Sequence, residues 1–300
     1  MKAMDVVPGP VHINVPLREP LVPDTSAEQF AKGRLSGAKR FVTQSGIMRL
    51  SENALKPLIE ELKGRKGIIL CGPATGRDGD DEYYRANGYG NGFEFCQGVE
   101  IRPGFYDNPK NVINNAYGTA MLALGEALEA PVLADPLSPV RALNHPLIID
   151  KYDAFLSNEE WQSELAPEYI LMMGQMPVSK RLQQFIKKHS AAVCYQIDAG
   201  AGYRNGTVTT NRVIQCDPIA FALDVAKQLI YTLWAPEMID NLLTTKGELR
   251  TFLKAKENLH KKLSDNAYTK SWLKAQYRTS LSMARVREEK TLFEASSWPS

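Results

Sequence analysis

Tyr169-Ile170-Leu171-Met172-Met173-Gly174-Gln175-Met176-Pro177-Val178-Ser179-Lys180-Arg181-Leu182 is a short apolar run, a glycine, a loop and the opening turn of a helix. An apolar run of this length, closed by Gly and Pro, reads as a strand buried on both faces, the kind that occurs in parallel sheets. The turn that follows sets Lys180 and Arg181 at the carboxyl edge of that sheet. Open α/β folds bind their ligands there.

The same pattern repeats on both sides of this segment. Further strand-like runs are Gly67-Ile68-Ile69-Leu70-Cys71, Pro131-Val132-Leu133-Ala134, Ala191-Ala192-Val193-Cys194-Tyr195-Gln196 and Arg212-Val213-Ile214-Gln215-Cys216. Leu55, Leu58, Ile59 and Leu62 follow helical spacing, and Gly64 closes that helix. Helices are expected over 114–129, 179–189 and 218–233, the last with Asp217 as N-cap, Pro218 at its first position and Ile219, Ala222, Leu223 and Ala226 on one face. Apolar strands alternating with amphipathic helices predict the α/β class: a doubly wound parallel sheet, Rossmann-like, covered on both faces. After Pro236 the chain turns charged and helix-prone to about Glu294. Trp272, Leu273, Tyr277, Leu281 and Val286 form an apolar stripe there, read as a helix docked by one face.

Composition narrows the function classes. The chain has 300 residues, is 44% hydrophobic and 23% charged, and carries a net charge of +2, too small to imply nucleic acid. No apolar run is long enough to cross a bilayer, and no signal peptide is recognisable, so no membrane role and a cytoplasmic location are expected. Cys71, Cys96, Cys194 and Cys216 form no CxxC pair and have no histidine at ligand spacing, which indicates neither zinc nor a disulfide framework. Cys71, Cys194 and Cys216 read instead as small core residues. His12, His145, His189 and His260 show no arrangement with Ser or Cys that would argue nucleophilic catalysis, and His12 reads as hydrogen-bonded structure.

The strongest local candidate for chemistry is the basic pair. Cations in the first helical turn are disfavoured by the macrodipole by roughly 0.3–1 kcal/mol each. An anionic ligand would offset that cost, with the helix N–H groups assisting. The alternative is two exposed side chains whose stems lie along the surface. Arg141, in Asp135-Pro136-Leu137-Ser138-Pro139-Val140-Arg141 after another strand end, is a secondary anion-binding candidate; Asp135-Pro136 reads as a turn. Gly72-Pro73-Ala74-Thr75-Gly76 lacks both GxGxxG and the Walker lysine, and Asp78-Gly79-Asp80-Asp81 lacks EF-hand spacing. Both read as loops. Residues 74–113, rich in Gly, Asp, Asn and Tyr, make an unusually long connection, for which a lid, a partner contact and a poorly ordered loop are the alternatives.

Near the start, Gly9-Pro10-Val11-His12-Ile13-Asn14-Val15-Pro16-Leu17-Arg18-Glu19-Pro20-Leu21 reads as a short strand at 11–15 with a proline exit. The run His-Ile-Asn-Val-Pro followed by Arg-Glu-Pro-Leu resembles the end of the first domain in the MenD family of thiamine-diphosphate enzymes, the 2-succinyl-5-enolpyruvyl-6-hydroxy-3-cyclohexene-1-carboxylate synthases. Lys180 and Arg181 match the family's basic strand-to-helix turn, Asp135 to Arg141 resembles another family element, and Leu292-Phe293-Glu294 resembles the entry to the third domain.

The resemblance implies a chain organised as 1–24, the tail of the N-terminal pyrimidine-binding domain; 25–236, a central α/β domain; and 237–300, a helical linker with the start of a truncated diphosphate-binding domain. It implies a complete enzyme that decarboxylates 2-oxoglutarate and adds the succinyl unit to isochorismate, using thiamine diphosphate and Mg2+, and that is a homo-oligomer in the cytoplasm. It assigns Lys180 and Arg181 to substrate carboxylates, with Arg141 as a further candidate. The activating glutamate of the first domain and the Gly-Asp-Gly…Asn element of the third are not found in these residues. The expectation is therefore a fragment that holds no cofactor or metal and is inactive alone. The insertion at 74–113 departs from the family pattern. Two other readings are a non-catalytic effector-binding or structural module, and the middle domain of another thiamine-diphosphate enzyme, some of which bind flavin or nucleotide.

Overall fold

The computed structural model describes residues 12–14, 46–73, 100–101, 116–200, 205–233 and 265–288. The chain divides into two units, 1–46 and 47–300. Of the first, His12, Ile13 and Asn14 are exposed and in no strand, with Ile13 75% accessible. The strand expected at 11–15 is therefore corrected at these residues. Period-two spacing makes a strand only where a neighbour completes the ladder, and none pairs with them among the described residues.

The second unit opens with α1 (Glu52–Leu62), capped by the Ser51 hydroxyl, which accepts the Ala54 N–H, and left through Gly64 at φ 73°. Then come β1 (Gly67–Cys71), β2 (Glu100–Ile101), α2 (Ala116–Leu128), β3 (Val132–Ala134), a 3-10 turn (Pro139–Ala142), β4 (Leu143–Asn144), β5 (Ile148–Ile149), α3 (Tyr152–Phe155) and α4 (Glu159–Glu164). The chain continues through β6 (Tyr169–Met173), α5 (Lys180–Lys188), β7 (Val193–Asp198), β8 (Arg212–Gln215), α6 (Pro218–Leu233) and α7 (Ala267–Glu288).

Six strands form one parallel sheet in the order β5-β3-β1-β6-β7-β8. The chain leaves β1 toward β3 on one side and resumes at β6 on the other, so the winding reverses between β1 and β6. Helices cover both faces, which is why β1, β3 and β6 are buried at every position. One face carries Leu55, Met121, Leu124 and Phe221 from α1, α2 and α6; the other carries Tyr152, Phe155, Phe185 and Trp272 from α3, α5 and α7. Cys71 and Cys216 lie in the first core and Cys194 in the second, all as free buried thiols. Burial pushes the Cys194 thiol up to about 11 and the Cys216 thiol up to about 12, so both remain protonated core residues. Cys96 and most of the 74–113 connection lie outside the described residues; within it, β2 pairs antiparallel with β4.

The sheet and its winding match the sequence expectation, with β5 as an added edge strand. Among the described side chains, which do not include Val286, the apolar stripe of α7 holds only at its start. Trp272 is fully buried with Tyr268 and Ala275, whereas Tyr277 and Leu281 are 64% and 44% exposed. A 22-residue helix is about 33 Å long and overruns the patch that five-residue strands, about 17 Å long, can offer.

Candidate functional site

Three loops meet at the carboxyl edge of the sheet where the winding reverses. The first leaves β1 at Gly72. A Cβ there would stand 1.8 Å from the Gln175 carbonyl oxygen, so only a residue without a side chain lets the β6–α5 loop pass this close. The second leaves β3 at Asp135, whose fully buried carboxylate accepts the Leu137 N–H at 2.9 Å and the Val178 N–H at 2.8 Å. The third is the β6–α5 loop itself. It turns at Gly174, φ 75°, which donates its N–H to the Ile197 oxygen at 2.8 Å.

That third loop presents the basic pair. Ser179 caps α5, its hydroxyl oxygen accepting the Leu182 N–H at 3.1 Å, and the same hydroxyl donates to the Asp153 carboxylate on α3. Lys180 and Arg181 are exposed in the first turn. Arg181 donates Nη1 to the Asp153 main-chain oxygen at 2.8 Å, a neutral acceptor that leaves its charge uncancelled. Among the described residues neither cation forms an ion pair. The half-buried Arg141 stands elsewhere, on the 3-10 turn, and donates Nη1 to the last carbonyl of β3, at Ala134, 3.0 Å away. Between Arg141 and Arg181 lies α3. Its buried Tyr152 hydroxyl is raised well above the ordinary phenol range by burial and by the nearby Asp135 carboxylate, with Arg141 opposing, so it stays a neutral donor.

This edge has the equipment to hold an anion: two exposed cations, a capped helix N-terminus and a loop hydrogen-bonded to its neighbours. Among its described residues no Ser or Cys is paired with a histidine, and the Ser179 hydroxyl, which donates to Asp153, also serves as the α5 cap. Among the described residues no group of three His, Cys, Asp or Glu could hold a metal, and Asp135 is committed to main-chain N–H groups. The described residues therefore do not fit thiamine diphosphate with its metal. Away from this edge, a cleft of about 890 Å³ lies between α1 and α6, where Arg49 bridges to Asp224 at 2.7 and 3.0 Å.

Residues 112–284, more than half of the chain, match a family model described as "Middle domain of thiamine pyrophosphate". The chain belongs to this thiamine pyrophosphate middle-domain family. The middle domain is similar to proteins named 2-succinyl-5-enolpyruvyl-6-hydroxy-3-cyclohexene-1-carboxylate synthase. The one from Lactococcus lactis subsp. lactis (strain IL1403) is 37% identical over 227 residues, 76% of this chain and 33% of the relative. That of Desulfitobacterium hafniense is 34% identical over 225 residues, 75% of this chain and 33% of the relative, and that of Bacillus velezensis 33% identical over 216 residues, 71% and 30%. The chain spans about a third of the length of the curated relatives it matches.

The sequence placed Lys180 and Arg181 at this edge of the middle domain; it read Asp135 as part of a turn and Gly72 as part of a loop, gave neither a role at the site, and did not mention Asp153. The Asp135–Leu137 contact is local and consistent with an Asp-Pro turn. The partner at Val178 lies 43 residues away in the chain, and no sequence signal announces it.

Proposed function

We propose that this chain is the central part of a menaquinone-pathway synthase that decarboxylates 2-oxoglutarate and transfers the succinyl unit to isochorismate, releasing carbon dioxide. Thiamine diphosphate with Mg2+, held by other parts of the complete enzyme, supplies the decarboxylation and carbon–carbon bond-forming chemistry. The middle domain contributes the scaffold and an anion-binding edge, on which Lys180 and Arg181 receive a carboxylate of isochorismate. The observation that carries this reading is the exposed basic pair at a capped helix N-terminus, in a chain whose relatives bear the synthase name. Arg has the planar fork for a bidentate carboxylate contact and Lys adds a point charge. Arg141 keeps donors beyond the one spent on Ala134 and serves as a secondary contact.

The complete enzyme belongs in the reducing cytoplasm as a homo-oligomer, and three buried free thiols suit that compartment. The 300 residues alone hold no thiamine diphosphate and turn nothing over. The test is to assay the complete enzyme containing this chain with 2-oxoglutarate, isochorismate, thiamine diphosphate and Mg2+. Isochorismate-dependent release of carbon dioxide with a succinylated cyclohexene product supports the proposal; decarboxylation indifferent to isochorismate contradicts it.

A further inference from the structure

The loop that carries the basic pair is fixed by two acids on neighbouring elements, Asp135 on the loop after β3 and Asp153 on α3. Asp135 has every polar group committed. Its N–H donates to the Cys71 oxygen at 3.0 Å, its carbonyl accepts the Ser138 N–H at 2.9 Å, and its two carboxylate oxygens take Leu137 and Val178. Val178 is two residues before Lys180. Asp153 then holds the next two points, taking the Ser179 hydroxyl on its carboxylate and the Arg181 guanidinium on its main-chain oxygen. A carboxylate is the side chain that suits position 135, because two converging N–H donors need two acceptors, and an amide would set its own N–H against one of them.

Neither acid neutralises the basic pair through an ion pair. Each spends its carboxylate on groups of the loop instead: a main-chain N–H from one and a serine hydroxyl from the other. This arrangement fixes where the cations stand while leaving their charge available. We infer that Asp135 and Asp153 are positioning residues that preset Lys180 and Arg181 for a carboxylate ligand. They do so by removing loop freedom that binding would otherwise have to remove. The inference rests on the reading of the basic pair given under Proposed function.

The test is an NMR titration of the 15N-labelled 300-residue chain with isochorismate, following the amides of Lys180 and Arg181, with hydrogen exchange read at Val178. Asp135→Asn should speed exchange at Val178 and weaken isochorismate binding about five- to tenfold, as expected for a lost hydrogen bond that orders the site. Asp153→Ala, at an exposed position, should weaken binding in the same direction. In an Arg181→Ala background, Asp135→Asn should cost less than it does in the wild type, because one of the two groups it positions is gone. If Asp135→Asn does not fold, Asp153→Ala decides. A wild-type response that survives both aspartate variants, or an Asp135→Asn loss of the same size without Arg181, overturns the positioning role alone. No response from the wild-type chain overturns the reading of the basic pair, and this inference with it.

Discussion

Gly72 and Gln175 touch across the reversal of the sheet: a Cβ on Gly72 would meet the Gln175 carbonyl oxygen at 1.8 Å and its carbonyl carbon at 2.8 Å. The β1 exit and the loop bearing the basic pair are thus packed main chain to main chain. Because the obstacle is backbone, it cannot be relieved by turning a side chain. Gly72→Ala should cost about 1–3 kcal/mol of stability, in the range of overpacked cores, and shift the loop. Urea unfolding measures the first effect and the amide shifts of Gln175 to Ser179 the second. Unchanged stability and spectra would show that the loop stands further from β1.

Trp272 anchors α7. It is fully buried and stands edge-on to Phe155 and Phe185, with ring centroids 5.8 and 6.0 Å away. Trp272→Ala should destabilise the fold by about 3–5 kcal/mol, whereas Leu281→Ala, further along the same stripe but 44% exposed, should fall within about 0.5 kcal/mol of wild type. Equal losses from the two, read by chemical denaturation, would mean that the whole helix docks.

His189 gives the fold a pH dependence of known sign. Burial holds its imidazole below the ordinary histidine value, opposed by its contact with the Gln162 carbonyl at 3.0 Å and assisted by Lys188. The unfolded chain therefore takes up a proton at a pH where the folded chain does not. This contribution to stability is intact above the ordinary value of about 6.5 and is lost as pH falls below it. Denaturation midpoints at pH 7.5, 6.5 and 5.5 should decline less in His189→Gln than in wild type; parallel declines would exclude His189 as a source.

Thiamine diphosphate should not bind the 300-residue chain, because its sequence has no Gly-Asp-Gly…Asn element and its described residues offer no metal-holding cluster. Calorimetry with the cofactor and Mg2+ is expected to give no heat of binding. Micromolar affinity would place cofactor-binding groups within this chain.

The fold was legible wherever the signal was local. The apolar run Tyr169 to Met173 and its glycine exit gave β6, and Asp217 before Pro218 gave the start of α6. There the Asp217 carboxylate accepts the Ile219 and Ala220 N–H groups, each at 2.9 Å. Ile148–Ile149 was not legible as a strand, since two residues carry no period. Nor could spacing say which half of the α7 stripe would meet a core, because that depends on where the sheet ends. At the site, residue type and position in the turn were enough to single out Lys180 and Arg181. The bonds by which Asp135 and Asp153 hold the loop were hidden because they join residues 26 to 43 positions apart in the chain.

The proposed contact between this edge and a carboxylate of isochorismate is open to steady-state kinetics of the complete enzyme with Arg181→Ala. Losing a charge-assisted hydrogen bond of about 1.5–3 kcal/mol should raise KM for isochorismate by one to two decades, with KM for 2-oxoglutarate and affinity for thiamine diphosphate unchanged. An unchanged KM for isochorismate, with the loss appearing as reduced folding stability, would contradict it.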